Sequence, residues 1–161
     1  MCFLNLLNFY HEKFYYLHFF SISTTFFAQQ YDYYTKNGFA ADGFDVVSYF
    51  VSKKPSEGKN EYQTVHNGTK FKFSSAKNLA LFIKDPEAYI PQYGGYCAYA
   101  VAEKKIKMYV DPEAYEIRDG KLYLFYSSWL SDKLKTWQEE DTKKLQQKGD
   151  KNWADIKYKS E

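Results

Sequence analysis

The chain has 161 residues, a formal net charge of +2 from 22 Lys and Arg against 20 Asp and Glu, and an aromatic content of 21% that includes 17 Tyr and 14 Phe. That length suits one domain with its own core, and the interspersed charge excludes the basic stripe of a nucleic-acid binder and the polyacidic tail of a solvating segment. Two cysteines, Cys2 and Cys97, exclude a disulfide framework, and the ring content predicts an aromatic core with a tyrosine-lined cleft.

From Phe14 to Ala28 the chain is apolar and aromatic, following His11-Glu12-Lys13. The stretch is about the length of a signal-peptide core and short of the roughly 20 apolar residues of a membrane span, with no stop-transfer pattern after Gln29. Residues 1–28 are therefore expected to direct export, with cleavage at Ala28-Gln29. The product is then periplasmic or secreted, without an integral membrane span. An uncleaved anchor or an N-terminal core helix is the alternative. The domain itself is expected over residues 31–157.

Tyr62 to His66, Asn67-Gly68 and Thr69 to Phe73 form the strongest local signal, because Asn-Gly supplies both positive-φ positions of a type I′ turn. A two-residue hairpin pairs His66 with Thr69, Thr64 with Phe71 and Tyr62 with Phe73, placing His66 on the more apolar face. Ser74-Ser75 caps a helix over Ala76 to Lys84 whose buried stripe is Leu79, Phe82 and Ile83. Asp-Pro-Glu-Ala-Tyr occurs at Asp85 to Tyr89 and again at Asp111 to Tyr115, and Asp as cap with Pro in the first turn accounts for each copy. A second hairpin turns at Asp119-Gly120 and puts Tyr115, Ile117, Leu122 and Leu124 on one face. Leu130, Leu134 and Trp137 mark a C-terminal helix, beyond which Leu145, Trp153 and Ile156 fold back on the domain. The expected fold is a small single α+β domain: two antiparallel hairpins packed against short helices and a C-terminal helix.

Phosphate loops, nucleophile elbows, His-Glu-x-x-His and Cys-x-x-Cys are all absent from the sequence. His66 is the one histidine left after export. In Pro91 to Ala100, Tyr93, Tyr96 and Tyr99 surround Cys97 with rings and hydroxyls, a candidate ligand-binding or cofactor-binding set. One thiolate with one imidazole would suit copper or zinc.

Gly43 to Phe50, His66-Asn67-Gly68, Phe73 to Ala76, Asp85 to Tyr89, Tyr93 to Ala100 and Asp119 to Leu124 together resemble the exported single-domain YHS family proteins of bacteria, over roughly Asn37 to Trp153. The resemblance implies a binding module, since cysteine-bearing relatives fused to copper-transporting ATPases are associated with metal. Aligned to those relatives, this chain has Ser48, Ser74 and Asn78 where they carry cysteines, and its triplet reads Val65-His66-Asn67. The thiolate site is not inherited. Any metal would need another set, for which His66, Cys97 and Asp45 are the candidates because each lies in a family-like motif.

Three readings follow. The first is an exported, non-catalytic YHS-like protein that binds or senses a transition metal such as copper through His66, Cys97 and Asp45. The second is a metal-free module whose tyrosine-lined cleft holds a small molecule or partner protein. The third is an enzyme with Cys97 as nucleophile and His66 as base.

Overall fold

The computed structural model describes residues 29–159, and the expected export segment, residues 1–28, lies outside them. Near the start, β1 (Thr35–Lys36) and β2 (Phe39–Ala40) reverse through Asn37-Gly38, which carry φ of 52° and 81°. Asn and Gly tolerate these left-handed values, so a second Asn-Gly pair makes a tight hairpin like the one expected downstream. A short helix α1 (Ser48–Val51) follows, then β3 (Lys59–His66) and β4 (Thr69–Phe73). Asn67 and Gly68 have φ of 47° and 75°, as a type I′ turn requires. The four strands run β1-β2-β4-β3, with β2 parallel to β4.

His66 pairs with Thr69 and Thr64 with Phe71, in the expected register. Tyr62 does not pair with Phe73. An irregularity between Lys59 and Gln63 puts Lys59 opposite Phe73 instead. Extra residues in one strand of an antiparallel pair bend it and shift the ladder beyond them. Alternation holds from Tyr62 onward, with Tyr62, Thr64 and His66 half-buried between exposed neighbours, while Lys59, Asn60 and Glu61 are all exposed.

Helix α2 (Ala76–Lys84) begins where expected: the Ser75 hydroxyl accepts from the Asn78 amide at 3.2 Å. Its buried side chains are Asn78 and Phe82, while Ile83 is exposed. The helix is thus rotated from its expected face, because the polar Asn78 has an internal partner. A 3-10 turn over Pro86–Ala88 and another over Gln92–Gly95 lead to α3 (Ala98–Lys104).

The second hairpin joins β5 (Asp111–Arg118) to β6 (Lys121–Phe125) through Asp119-Gly120, pairing Tyr115 with Leu124 and Ile117 with Leu122 as expected. The two copies of Asp-Pro-Glu-Ala-Tyr part company here. The first makes a 3-10 turn, but Asp85 makes no side-chain cap; the second lies in β5, in a stretch where the register shifts. There the Asp111 carboxylate accepts from the Glu113 amide at 3.0 Å, a local turn embedded in a strand. A small ribbon, β7 (Ser127–Ser128) with β8 (Ser131–Asp132), carries Trp129 and Leu130 at its exposed tip. Leu130 therefore lies outside the helix it was expected to open. Helix α4 (Lys133–Glu139) starts later, where the Asp132 carboxylate accepts from the Lys135 amide, and it buries Trp137 completely. Helix α5 (Thr142–Ile156) then brings Leu145 and Trp153 back onto the domain.

Strand β6 divides the core. Leu122 and Leu124 face a cluster with Tyr49, Phe71, Phe73 and Phe82, while Tyr123 and Phe125 face another with Trp137, Leu145 and Trp153. Successive side chains of a strand point to opposite faces, so burial on both sides explains an unbroken apolar run from Leu122 to Phe125.

The segment preceding β1 straps these layers together. The Trp153 indole donates to the Tyr31 hydroxyl at 2.9 Å, the Tyr34 amide to the Gly94 carbonyl, and the Asp32 amide to the Lys157 carbonyl. Lys107 pairs with the Asp32 carboxylate at 2.7 Å. A Cβ on Gly94 would lie 2.3 Å from the Asp32 carbonyl oxygen, so only glycine lets the strap approach so closely. Among the described residues, no helix is long and apolar enough to cross a membrane.

Candidate functional site

The residues singled out from sequence separate into three environments. Asp45 is wholly buried between α1 and α2. Its Oδ1 accepts from the Val47 and Ser48 amides at 2.9 and 3.2 Å. Its Oδ2 accepts from the Ser74 amide, the Ser74 hydroxyl and the Asn78 side-chain amide at 2.9, 2.6 and 2.7 Å. The Ser48 hydroxyl donates to the Asp45 carbonyl at 2.7 Å. Ser48, Ser74 and Asn78, the positions where the suggested resemblance implies cysteines in metal-associated relatives, thus converge on one carboxylate. An ionised carboxylate is an acceptor only, and five donors occupy both of its oxygens. As arranged, Asp45 ties two helix starts and the end of β4 together and leaves little acceptor capacity for a metal.

Cys97 is also fully buried, in the cluster formed by Val46, Tyr49 and Leu122. Burial pushes its thiol up from the ordinary value, which disfavours the thiolate needed for nucleophilic attack or for soft-metal binding. The three tyrosines around it share no common target. The Tyr93 hydroxyl bonds to Asp150 and to the Gln146 carbonyl on α5, Tyr96 donates to Asp32 in the strap, and Tyr99 donates to Glu140 after α4. Each ring anchors the Pro91–Lys104 region to a different neighbour. Burial pushes the Tyr93 phenol far up, with the Asp150 charge adding to the effect. Burial and the Glu140 partner carry Tyr99 to about 12.

His66 stands at the rim of a different feature. Its ring packs edge-on to Phe71 and Phe82, as its place on the apolar face of the hairpin implies. Its Nε2 lies 3.0 Å from the Asn67 side-chain nitrogen and 3.5 Å from Glu87 Oε1. Glu87 in turn borders a cleft of about 230 Å³ whose walls include Tyr31, Tyr93, Asp150 and Trp153. A second cleft of about 460 Å³, bounded by Gln30, Asn67 and Gly68, adjoins it through Tyr31. Among the described residues, no group of three or more His, Cys, Asp or Glu is placed to hold a metal ion, so His66, Cys97 and Asp45 do not form one ligand set.

Negative charge dominates the smaller cleft: Glu87 and Asp150 border it and no Lys or Arg lines it. The phenols register that field. Tyr31 and Tyr33 are raised mainly by burial, with Glu87 contributing, and Tyr33 reaches about 12. The cleft is not legible in the sequence because its walls come from three separated segments, at Tyr31, Glu87 to Tyr93 and Asp150 to Trp153. Glu87 lies in the first Asp-Pro-Glu-Ala-Tyr copy, and Asp150 and Trp153 share one face of α5, but nothing local shows that Tyr31 joins them. Compared with protein-family models, curated proteins and solved structures, the chain matches none.

Proposed function

We propose that this chain is an exported, non-catalytic YHS-like binding protein, and that it holds a small molecule in the cleft centred on Tyr31 and Trp153. The observation that carries the reading is a contrast in polar capacity. The carboxylate of Asp45 is spent on five internal hydrogen bonds, whereas Glu87 and Asp150 sit exposed at the rim of a ring-walled cavity. Ligand sites combine a shaped wall with a few polar groups that orient the ligand; here the surface open to the cleft is more polar than apolar, with the largely buried rings of Tyr93 and Trp153 behind it. His66 takes part through Glu87, which it meets at the rim. Burial and a raised thiol disfavour Cys97 as nucleophile or ligand, and this weighs against both the enzyme reading and copper or zinc coordination.

The test is an NMR titration of the full chain with a library of small neutral and charged fragments, run beside Cu(I), Cu(II) and Zn(II). Saturable shifts confined to Tyr31, Glu87 and Trp153, with metal binding no tighter than that of an unrelated protein, support the proposal. Tight metal binding abolished by His66→Ala and Cys97→Ala would overturn it, as would a library that leaves the cleft untouched.

A further inference from the structure

We infer that the ligand of the Tyr31 cleft carries an organic ammonium group, an inference that rests on the cleft reading above and narrows its chemistry. Three observations converge. The first is charge: the chain as a whole carries +2, yet the charged groups lining this cleft are Glu87 and Asp150, and the Lys107 ammonium that stands 5.9 Å from the Trp153 ring is already paired with Asp32. The cleft is a local negative well on a weakly positive surface, the arrangement that concentrates cations.

The second is the wall. Tyr31 and Trp153 meet edge to face at 5.8 Å between centroids, and Tyr93 lies 6.2 Å from Trp153. Aromatic faces attract a poorly hydrated ammonium through their quadrupole, and a methylated ammonium gains apolar contact with the rings as well. A hydrated metal dication gains nothing comparable from such a wall, and two exposed carboxylates alone make a poor cage for it.

The third is fixed polar geometry. Asp150 accepts from the Tyr93 hydroxyl through Oδ1, at 3.1 Å, and Oδ2 has no hydrogen-bond partner among the described residues. Tyr31 accepts the Trp153 indole proton at 2.9 Å, and its own hydroxyl proton meets no protein acceptor among the described residues. The cleft thus offers an acceptor for the cation and a donor for a neighbouring hydroxyl or carbonyl on the same ligand. A volume of about 230 Å³ suits a compact molecule bearing both.

The pair of probes that tests this is choline and its neutral carbon isostere 3,3-dimethylbutan-1-ol, titrated into the full chain while the Trp153 indole N–H resonance is followed. Choline should shift that resonance saturably, the isostere should bind several-fold more weakly, and raised ionic strength should weaken only choline. Glu87→Gln and Asp150→Asn each keep the side-chain shape and should each weaken choline by about two- to fivefold without weakening the isostere. Equal binding of choline and isostere, insensitive to salt and to both substitutions, would overturn the ammonium inference while leaving a small-molecule cleft intact. Silence of the Trp153 resonance toward both probes and toward every library fragment would overturn the cleft itself. Calcium chloride shifting the resonance where choline does not would overturn the ammonium class in favour of a metal ion.

Discussion

Asp45→Asn is the most informative single change, because it removes a charge while holding size constant. The native carboxylate receives two backbone amides on Oδ1 and three donors on Oδ2. An asparagine can keep Oδ1 as its oxygen, but its NH₂ then faces the Ser74 amide, the Ser74 hydroxyl and the Asn78 NH₂. The Ser74 hydroxyl can rotate to accept, and Asn78 retains a 3.4 Å contact with that hydroxyl. The Ser74 amide has no such recourse. A part-buried donor left unsatisfied costs about 1–3 kcal/mol, and the lost charge assistance on the remaining bonds adds about 1 kcal/mol more. A destabilisation of about 2–4 kcal/mol is expected. Asp45→Ala strands the Val47 amide as well and should cost about 3–5 kcal/mol. Urea unfolding of the full chain, followed by circular dichroism and compared at unchanged slope, measures both. An Asp45→Asn protein within about 0.5 kcal/mol of the parent would refute the view that this carboxylate is the fixed centre of the α1–α2 junction.

Other expectations are quickly checked. Gly149→Ala should destabilise by about 1–3 kcal/mol although alanine favours helices, because its Cβ would lie 2.6 Å from the Tyr93 hydroxyl oxygen and 2.8 Å from the adjoining ring carbon; thermal unfolding gives the sign. Cys97 should resist a thiol reagent in the folded chain at neutral pH and react once urea unfolds it, as peptide-resolved mass spectrometry would show; rapid native labelling would contradict its burial. The tyrosines predict an alkaline limit. The folded pKa values of Tyr33 and Tyr99 are raised to about 12, chiefly by burial, so these neutral phenols contribute stability that is complete below about pH 10 and lost as pH climbs through 12. The ring resonances of Tyr33 and Tyr99 should therefore titrate late and together with loss of circular dichroism, whereas ionisation of these two rings well before unfolding would count against it.

The parts of this fold that sequence reveals are those decided by neighbouring residues. Asn67-Gly68 sets its own turn whatever surrounds it, and Ser75 caps α2 through an atom three residues away. The failures share the opposite cause. Ile83 was expected inside and Asn78 was not, because the helical period is blind to a carboxylate 33 residues upstream that rewards burial of an amide. The break between Lys59 and Gln63 leaves the alternation from Tyr62 to His66 intact, so the residues beside the turn do not announce the loss of the Tyr62–Phe73 pair. At the candidate site the same limit applies more strongly. His66 was located on the correct face from register alone, but Tyr31, Glu87 and Asp150 meet only through the full tertiary arrangement.

The strap across Tyr31 to Tyr34 sets an order of events during folding. Its indole partner Trp153 lies 122 residues further along the chain, and the Lys157 carbonyl that receives the Asp32 amide lies later still. Local hairpins close in microseconds, but contacts of such separation must await loop closure and, on a ribosome, the emergence of α5. The cleft therefore forms last. Until then its future walls are exposed rings at opposite ends of an incomplete chain, and binding competence should appear in the slowest refolding phase, together with the Trp153 fluorescence change.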